Sequence, residues 1–411
     1  MASITGKIVN GNCQPVENAH GVYDVWPQVE KSYARSGETN LWYRFYAEIT
    51  GKKGEAVTIR LNWPHYERYY IDGGYGNGGE NNDPFSYLAA PYHTVIPDIV
   101  YVSADQIHWN RLDRSQTGFD LTQEMILIHL VLEETRMYLS VGFPYTRVML
   151  DRLHEDLLGL ECIQYTPLGP DIGGEIVPMY TCTDFSVPVE QKKAVWYQAA
   201  QHCDETIGSN LADAMLRFLV SPEAETIRKR YIFHIVPVVA VWNWMQGRGR
   251  HFLANPNRDW QDFVLPETTS LAQTIRSLLD SGENITLTLD AHTGVHTDPP
   301  SVGFCAAGFW IDDDNGDVLK QEGTRLANCL MEHADFPPTC VFYVKKEKFR
   351  QPGKFNTYVT SLGIARNHTL ELGRVCGYDR KEGKAVPYTN DKITRWGAEF
   401  TKAICGYLDQ D

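Results

Sequence analysis

At 411 residues the chain is long enough for two domains, and 43% hydrophobic with 22% charged residues is typical of a globular protein. The 38 Lys and Arg against 52 Asp and Glu leave a net charge of -14, which argues against nucleic acid or membrane as the main partner. Because no secretion signal, 18-residue apolar stretch or CxxC pair is present, we expect a cytoplasmic protein with reduced cysteines. The sequence does not indicate the oligomeric state.

Residues 1–150 consist of short alternating segments separated by turn residues, a pattern typical of β-strands. Strands are predicted at Leu41–Ile49, Ala56–Trp63, Asp98–Val102 and Glu124–Leu132. The Gly- and Asn-rich stretch Asp72–Pro84 suits only a surface loop. This part is therefore predicted to be an all-β sandwich domain.

Residues 151–411 alternate helical patterns with compact apolar strands, which predicts an α/β domain. The spacing of Leu211, Met215 and Leu219 predicts a helix that ends before Pro222, because proline cannot continue it. A last amphipathic helix is predicted at Asp391–Leu408. Strands are predicted at Tyr231–Val239, Ile285–Leu289, Val341–Val344 and Thr369–Leu372.

His202 and Glu205 stand three residues apart, directly before the predicted helix. Side chains at this spacing project to the same side of a starting helix and can share one cation. A solvated helix start is the structural alternative, since this pair of residues often occurs by chance.

His292 lies in Asp290-Ala-His292-Thr-Gly294, where an apolar strand is predicted to end. There it could complete a His/Glu/His set and leave a fourth position for water, as catalytic zinc sites do. The alternatives are an ordinary polar residue at the strand end and His296 in the same role.

Two more segments carry candidate groups. The basic loop from Gly247 to Trp260 suits carboxylate binding, because guanidinium offers paired donors, although ordinary surface arginines would give the same pattern. Glu371 stands in a short apolar strand, where burial would raise its pKa toward that of a general base. A buried Glu paired with a distant Arg is the structural alternative.

In this order the segments resemble the zinc metallocarboxypeptidases, specifically the cytosolic carboxypeptidase branch that includes deglutamylating enzymes. Gln201–Gly208 resembles that family's QHPGET metal motif, Pro237–Arg258 its arginine and DLNR segments, Leu289–His292 its DLH, and Phe336–Gly377 the segment with its catalytic glutamate. Asn40–Phe45, Val102–Trp109 and Phe143–Thr146 resemble landmarks of the branch's β-sandwich. The resemblance implies a mixed-sheet zinc carboxypeptidase domain with helices on both faces, at 151–411, preceded by the β-sandwich, at 1–150.

The resemblance also implies a role for each matching residue. One zinc ion per chain would be held by His202, Glu205 and His292. The general acid/base would be Glu371, the oxyanion would be steadied by Arg250, and the substrate's free carboxylate would be held by Asn257 and Arg258. The substrate would be a peptide or protein C-terminal tail, with glutamate as a candidate leaving residue.

Several departures from the family pattern leave alternatives open. Cys203-Asp204 replaces Pro-Gly in the metal motif and places a thiol beside His202, and a shortened loop makes Arg248 a substitute for Arg250. The basic residues Lys345, Lys346, Lys348, Arg366 and Arg374 lie near the catalytic segment in sequence. The competing functions are a zinc amidohydrolase acting on small N-acyl amino acids and a non-catalytic binder of acidic tails.

Overall fold

The computed structural model describes residues 2–28, 30–31, 38–39, 45–62, 99–120, 122–123, 125–249, 251–294, 308–312, 318–336, 341–344, 350–373 and 376–410. Several predicted features lie outside these residues, namely Asp72–Pro84, Arg250, His296, Lys345, Lys346, Lys348 and Arg374.

The first part of the chain forms two five-stranded sheets, in the orders β1-β6-β12-β8-β9 and β10-β11-β7-β3-β2, which confirms the predicted β-sandwich. A separate two-stranded ribbon pairs β4 with β5. The strands are β1 (Ser3–Thr5), β2 (Cys13–Ala19), β3 (Val22–Pro27), β4 (Glu30–Lys31), β5 (Glu38–Thr39), β6 (Phe45–Thr50), β7 (Ala56–Asn62), β8 (Val100–Ser103), β9 (Asn110–Arg111), β10 (Thr117–Asp120), β11 (Met125–Val131) and β12 (Arg136–Val141).

Alternation of side chains explains why these segments form a sandwich. In β11, Ile126, Ile128 and Leu130 are buried, whereas the residues between them are partly or fully exposed. Antiparallel pairing sets Ile126 opposite Leu61 and Ile128 opposite Ile59. Because side chains of paired residues lie on the same face, each pair adds apolar surface to the core between the sheets.

The second part is built on one mixed eight-stranded sheet in the order β13-β14-β16-β15-β17-β20-β18-β19, with a two-stranded ribbon of β21 and β22. Strands β16, β15, β17 and β20 are parallel neighbours at its centre. The strands are β13 (Ile163–Pro170), β14 (Ile176–Cys182), β15 (Lys193–Ala199), β16 (Tyr231–Val236), β17 (Ile285–Gly294), β18 (Gly308–Asp312), β19 (Val341–Val344), β20 (Asn367–Gly373), β21 (Cys376–Asp379) and β22 (Lys384–Pro387).

Helices cover both faces of this sheet, as predicted. Two apolar cores result, one under α2, α6 and α8 and the other under α4, α5 and α7. The helices are α1 (Arg147–Leu157), α2 (Ile207–Leu219), α3 (Glu225–Arg228), α4 (Val241–Met245), α5 (Pro266–Asp280), α6 (Val318–His333), α7 (Phe355–Ser361) and α8 (Asn390–Leu408). None of the helices in the described residues is long and apolar enough to span a lipid bilayer.

The sandwich contacts the second part through hydrogen bonds that reach α4 and the start of α8. Tyr101 Oη donates to the carbonyl of Tyr388 at 3.0 Å, and Asn390 Nδ2 donates to the carbonyl of Trp109 at 3.1 Å. Asn10 Nδ2 donates to the carbonyl of Trp244 at 2.9 Å. The predicted domain boundary at residue 150 falls inside α1 and stays a prediction.

Two predicted strand bounds were wrong in a way that affects the site. Strand β16 ends at Val236, three residues earlier than expected, whereas β17 continues past Leu289 to Gly294. Its extension follows from parallel pairing with β20, which continues to Gly294 opposite Gly373. His292 therefore projects from within a strand instead of following one.

Candidate metal centre and active site

The carboxyl ends of β15 and β17 bring the predicted metal ligands to one edge of the sheet. Ala199 at the end of β15 pairs with Ala291 of β17, so the chain after Ala199 starts beside His292. Gly208 in the first turn of α2 permits this packing, because an added Cβ would lie 2.9 Å from the Cβ of Ala291 and 3.0 Å from that of Ala199.

His202 and Glu205 lie in a turn directly ahead of α2, where the sequence predicted them. The turn is closed by the Glu205 amide, which donates to the His202 carbonyl at 3.1 Å. It starts from Ala200, whose φ of 54° is in the left-handed region that costs a residue with a Cβ about 1 kcal/mol. Backbone strain is thus present two residues before a candidate ligand.

Three donor groups converge in this turn and in β17. Glu205 Oε1 lies 2.9 Å from His202 Nδ1, and its Oε2 lies 2.9 Å from His292 Nδ1. The two Nδ1 atoms are 3.2 Å apart. Tetrahedral zinc with bonds of about 2.1 Å sets its ligand atoms roughly 3.4 Å apart, so two imidazoles and one carboxylate fit this ion. Within the described residues these three side chains form the group that could hold a metal.

The outer ring nitrogens have partners that fix both imidazoles. His202 Nε2 lies 3.1 Å from Asn255 Oδ1, and His292 Nε2 lies 2.9 Å from Asp290 Oδ2. Because Asn255 Oδ1 accepts, His202 Nε2 carries the hydrogen and His202 Nδ1 directs its lone pair toward the other ligands when a metal binds. His292 Nε2 lies 2.9 Å from both Asp290 Oδ2 and Asn257 Nδ2, and the negative charge of Asp290 favours a hydrogen on this nitrogen.

Asp290 is held in turn by a buried polar network. Its carboxylate accepts hydrogen bonds from Gln201 at 2.7 and 2.8 Å and from Gln198 at 3.1 Å. Trp260 Nε1 donates to Gln201 Oε1 at 2.9 Å, which fixes the orientation of that amide. Asp290 therefore cannot turn away from His292 without breaking several buried hydrogen bonds.

His292 and Glu205 form a buried ion pair in which the imidazole carries the proton. Burial alone would lower the pKa of His292, but the carboxylates of Asp290 and Glu205 on its two sides raise it well above its usual range. Burial would raise the pKa of Glu205, but the two imidazoles lower it well below its usual range. A metal ion must displace this proton, so binding weakens as the pH falls.

Glu371 lies beside the metal-ligand group, as its register partner in β17 is His292. Side chains of register partners project from the same face of a sheet. Its pKa is raised to about 8, mainly because the surrounding protein displaces water, with the charge of His292 opposing the rise. A carboxyl group with this pKa can exchange a proton near neutrality, as an acid/base catalyst must.

The loop before Asn255 is anchored by a buried imidazole. His251 Nδ1 accepts from the amides of Leu253 and Ala254 at 3.2 and 3.3 Å, so its Nε2 donates to Glu267 Oε1 at 2.9 Å. The side chains of His251 and Glu267 are both 0% exposed. The pair fixes the start of the segment that carries Asn255.

Removal of this imidazole is expected to destabilise the fold. His251→Ala leaves the Glu267 carboxylate buried with one partner fewer, and we expect it to lower the free energy of unfolding by about 3 kcal/mol. Urea denaturation measures the loss. His333→Ala, at a side chain 53% exposed, is the matched control and should change stability little. Equal stability of both variants would contradict an anchoring role.

Asn257 and Arg258, predicted to bind the free carboxylate of the substrate and called the carboxylate clamp below, differ in burial. The buried Asn257 amide places Nδ2 2.9 Å from His292 Nε2, and its Oδ1 accepts from the Phe355 amide at 3.1 Å. Arg258 is exposed, with Nη1 donating to the Asn257 carbonyl at 2.5 Å. The structure thus brings Asn257 against the metal-ligand group, and both substrate-binding roles stay predictions.

The oxyanion assignment stays a prediction as well, because Arg250 lies outside the described residues. The alternative, Arg248, stacks its guanidinium over Phe252 at 5.9 Å from the ring centre, and its amide donates to the Asn243 carbonyl at 3.1 Å. Cys203 is fully buried in the core that contains Trp244 and Trp260. This places the thiol among apolar side chains and outside the group of metal donors.

Several residues of the site were missed from the sequence. Asn255, Gln201 and Asp290 hold the ligands, and Lys354 lies close enough to Glu371 to oppose the rise of its pKa. Asp290 could have been found, since a residue two positions from His292 on a strand projects from the same face. Of the basic residues named near the catalytic segment, Arg366 pairs with Glu322 at 2.9 Å.

Lys354 owes its position to a close backbone contact. Gly353 has a φ of 79°, and an added Cβ would lie 2.2 Å from the Arg258 carbonyl oxygen. The Trp260 amide also donates to the Gly353 carbonyl at 3.0 Å. Only glycine fits this contact, which joins the segment before α7 to the Asn255–Arg258 turn.

Comparison with known proteins shows a similarity to zinc carboxypeptidases. Residues 184–241 match the zinc carboxypeptidase family, Peptidase_M14. Cytosolic carboxypeptidase 1 of Mus musculus is 22% identical over 96% of this chain, and that of Homo sapiens is 23% identical over 97%. In both cases the match covers 34% of the relative, so the chain spans about a third of the length of these proteins.

Solved structures share the fold over the full chain. A metallo-carboxypeptidase from Burkholderia cenocepacia has a TM-score of 0.72 at 18% identity, with 100% of each chain covered. A Pseudomonas aeruginosa metallo-carboxypeptidase, solved with (2-guanidinoethylmercapto)succinic acid, has a TM-score of 0.71 at 16% identity, with 99% of each chain covered. The resemblance to zinc metallocarboxypeptidases predicted from the sequence is confirmed.

Proposed function

We propose that this chain, which carries a zinc carboxypeptidase domain, hydrolyses the C-terminal peptide bond of a peptide or protein tail. The observation that carries the proposal is the convergence of His202, Glu205 and His292, whose donor atoms lie within 4.8 Å of one another, beside the carboxyl group of Glu371. One zinc ion per chain, held by these ligands, would supply Lewis-acid polarisation of water and of the scissile carbonyl.

The chain's own residues supply the proton transfers and the orientation of the substrate. Glu371 accepts the proton of the attacking water and later donates it to the leaving amine. Arg258 and Asn257 bind the free carboxylate, so that only the last peptide bond reaches the reacting groups. Arg250 steadies the oxygen that becomes negative during attack, with Arg248 as the substitute.

Glutamate is the leaving residue that the surroundings of Glu371 favour. Lys354 places an ammonium group near that carboxyl and is partly exposed, so it can meet an acidic side chain that enters the site. The curated relatives are named as cytosolic, and we propose the same compartment for this chain.

Matched peptides ending in Glu, Gln or Leu, each as a free acid and as a C-terminal amide, test the proposal by mass spectrometry. We expect removal of one residue from the free acids, about tenfold faster for Glu than for Gln, and no cleavage of the amides. Equal cleavage of acids and amides would rule out the carboxylate clamp. Cleavage restricted to small N-acyl amino acids would favour the amidohydrolase function. Binding of the Glu-ending peptides without cleavage would favour a non-catalytic binder of acidic tails.

Lys354→Gln separates substrate preference from catalysis in the same assay. Loss of the ammonium group is expected to reduce the preference for Glu over Gln about tenfold and to leave cleavage of the Gln peptide unchanged. Lys381→Gln, at an exposed lysine, is the matched charge control and should keep the preference. An unchanged preference in Lys354→Gln would place the acidic side chain elsewhere.

A further inference from the structure

A pair of cysteines lies at the margin of the large sheet, apart from the metal-ligand group. Cys162 occupies the turn before β13, and Cys182 is the last residue of β14. The strands are in register there, because Ile163 pairs with Cys182 and the Thr183 amide donates to the Cys162 carbonyl at 3.1 Å. Cys162 and Cys182 are thus neighbours across this strand pair, and both are free thiols.

The two thiols differ in charge and in exposure. The neighbouring Cys182 thiol, together with the nearby Arg228 guanidinium, lowers the pKa of Cys162 to about 6 even though burial opposes this. The Cys162 sulfur raises the pKa of Cys182 well above its usual range, and burial adds to the rise. Cys162 is partly exposed, whereas Cys182 is 0% exposed. The more acidic thiol of the pair is therefore also the more accessible one.

Arg228 is fixed in this position by the backbone. Its Nη1 donates to the carbonyls of Leu219 and Ser221 at 2.5 and 2.8 Å, and its own carbonyl accepts from the Asp184 amide at 3.0 Å. These bonds tie the end of α2 and the short helix α3 to the segment that follows Cys182. The positive charge beside Cys162 is therefore a fixed part of the fold.

We propose that Cys162 and Cys182 form a peroxide-reactive dithiol that closes to a reversible disulfide. The Cys162 thiolate attacks one oxygen of hydrogen peroxide, the O–O bond breaks, and the products are a sulfenic acid and hydroxide. The Cys182 sulfur then attacks the Cys162 sulfur, the S–S bond forms, and the sulfenic oxygen leaves as water. Two thiols lose two electrons and two protons in total, and one peroxide becomes two water molecules.

The geometry allows the bond to form with little movement of the backbone. Cys162 precedes the register partner of Cys182 by one residue, so a strand spacing of about 4.8 Å and a rise of about 3.4 Å place their Cα atoms roughly 6 Å apart, within the range that a disulfide spans. Cys182 pairs with Phe233 near the amino end of β16, whereas the candidate metal ligands lie at the carboxyl ends of β15 and β17. The disulfide would join β14 to the turn before β13, the first strand in the order of the sheet. It would lie toward the amino ends of the parallel strands, away from the candidate metal ligands at their carboxyl ends.

Mass spectrometry of the full chain, treated with one equivalent of hydrogen peroxide at neutral pH, tests the proposal. Cys162 and Cys182 are the two cysteines of the tryptic peptide 153–192, so a loss of about 2 Da from this peptide reports their disulfide. We expect this loss in the wild-type chain and its reversal by dithiothreitol. Absence of the loss, with Cys162 unmodified or oxidised to the sulfinic acid, would overturn the proposal.

Two substitutions assign the order of the steps. Cys182→Ser should stop at the sulfenic acid, which dimedone labels at Cys162, whereas Cys162→Ser should leave Cys182 unreacted. Cys405→Ser, at a buried thiol whose pKa burial raises, is the control and should keep the disulfide. Labelling of Cys182 in place of Cys162 in the wild-type chain would reverse the assignment and contradict the proposed mechanism.

Discussion

Glu371→Gln is expected to reduce turnover of a Glu-ending peptide by roughly 10³-fold, because an amide neither accepts the proton of water nor returns it to the leaving amine. Glutamine keeps the size of the side chain and its position opposite His292 in the sheet. Peptide binding should therefore change less than turnover. Steady-state kinetics that separate kcat from KM measure the effect.

The control for this experiment is metal content. The variant should bind as much zinc as the unmodified chain, because Glu371 is not among the three donor groups. Glu332→Gln makes the same chemical change at a side chain that is 73% exposed, and its turnover should be unchanged. If Glu371→Gln kept near-normal turnover with zinc bound, the acid/base role of this carboxyl would be wrong.

Much of the fold could be predicted from local sequence patterns, because many of its strands and helices bury one face and so repeat apolar residues at a regular spacing. The alternation through β11 and the spacing of Leu211, Met215 and Leu219 both predicted elements that the structure contains. The length of β17 could not be predicted in this way. The last residues of β17 are held by pairing with β20, which lies about 80 positions later in the chain.

The candidate ligands could be named from the sequence because their segments occur in the same order as the motifs of the zinc metallocarboxypeptidases. Their supporting residues were harder to find. Asn255 and Gln201 act through hydrogen bonds to groups far away in sequence, and an amide has many structural uses. Lys354 lies within the Phe336–Gly377 segment but 17 positions before Glu371 in sequence, and it is placed near the site because Gly353 packs against the Arg258 carbonyl.

His292→Ala is expected to weaken zinc binding by about 10³-fold or more, because one of three donors is lost and Asp290 keeps its buried charge without the imidazole it orients. Metal analysis after dialysis against a defined zinc buffer measures the loss without any assay of activity. His234→Gln is the matched control, since this buried imidazole of the same sheet bonds Thr181 and Glu283 and lies outside the donor group. If His292→Ala still bound one zinc ion per chain, the ion would bind elsewhere. The proposed metal site of His202, Glu205 and His292 would then be wrong.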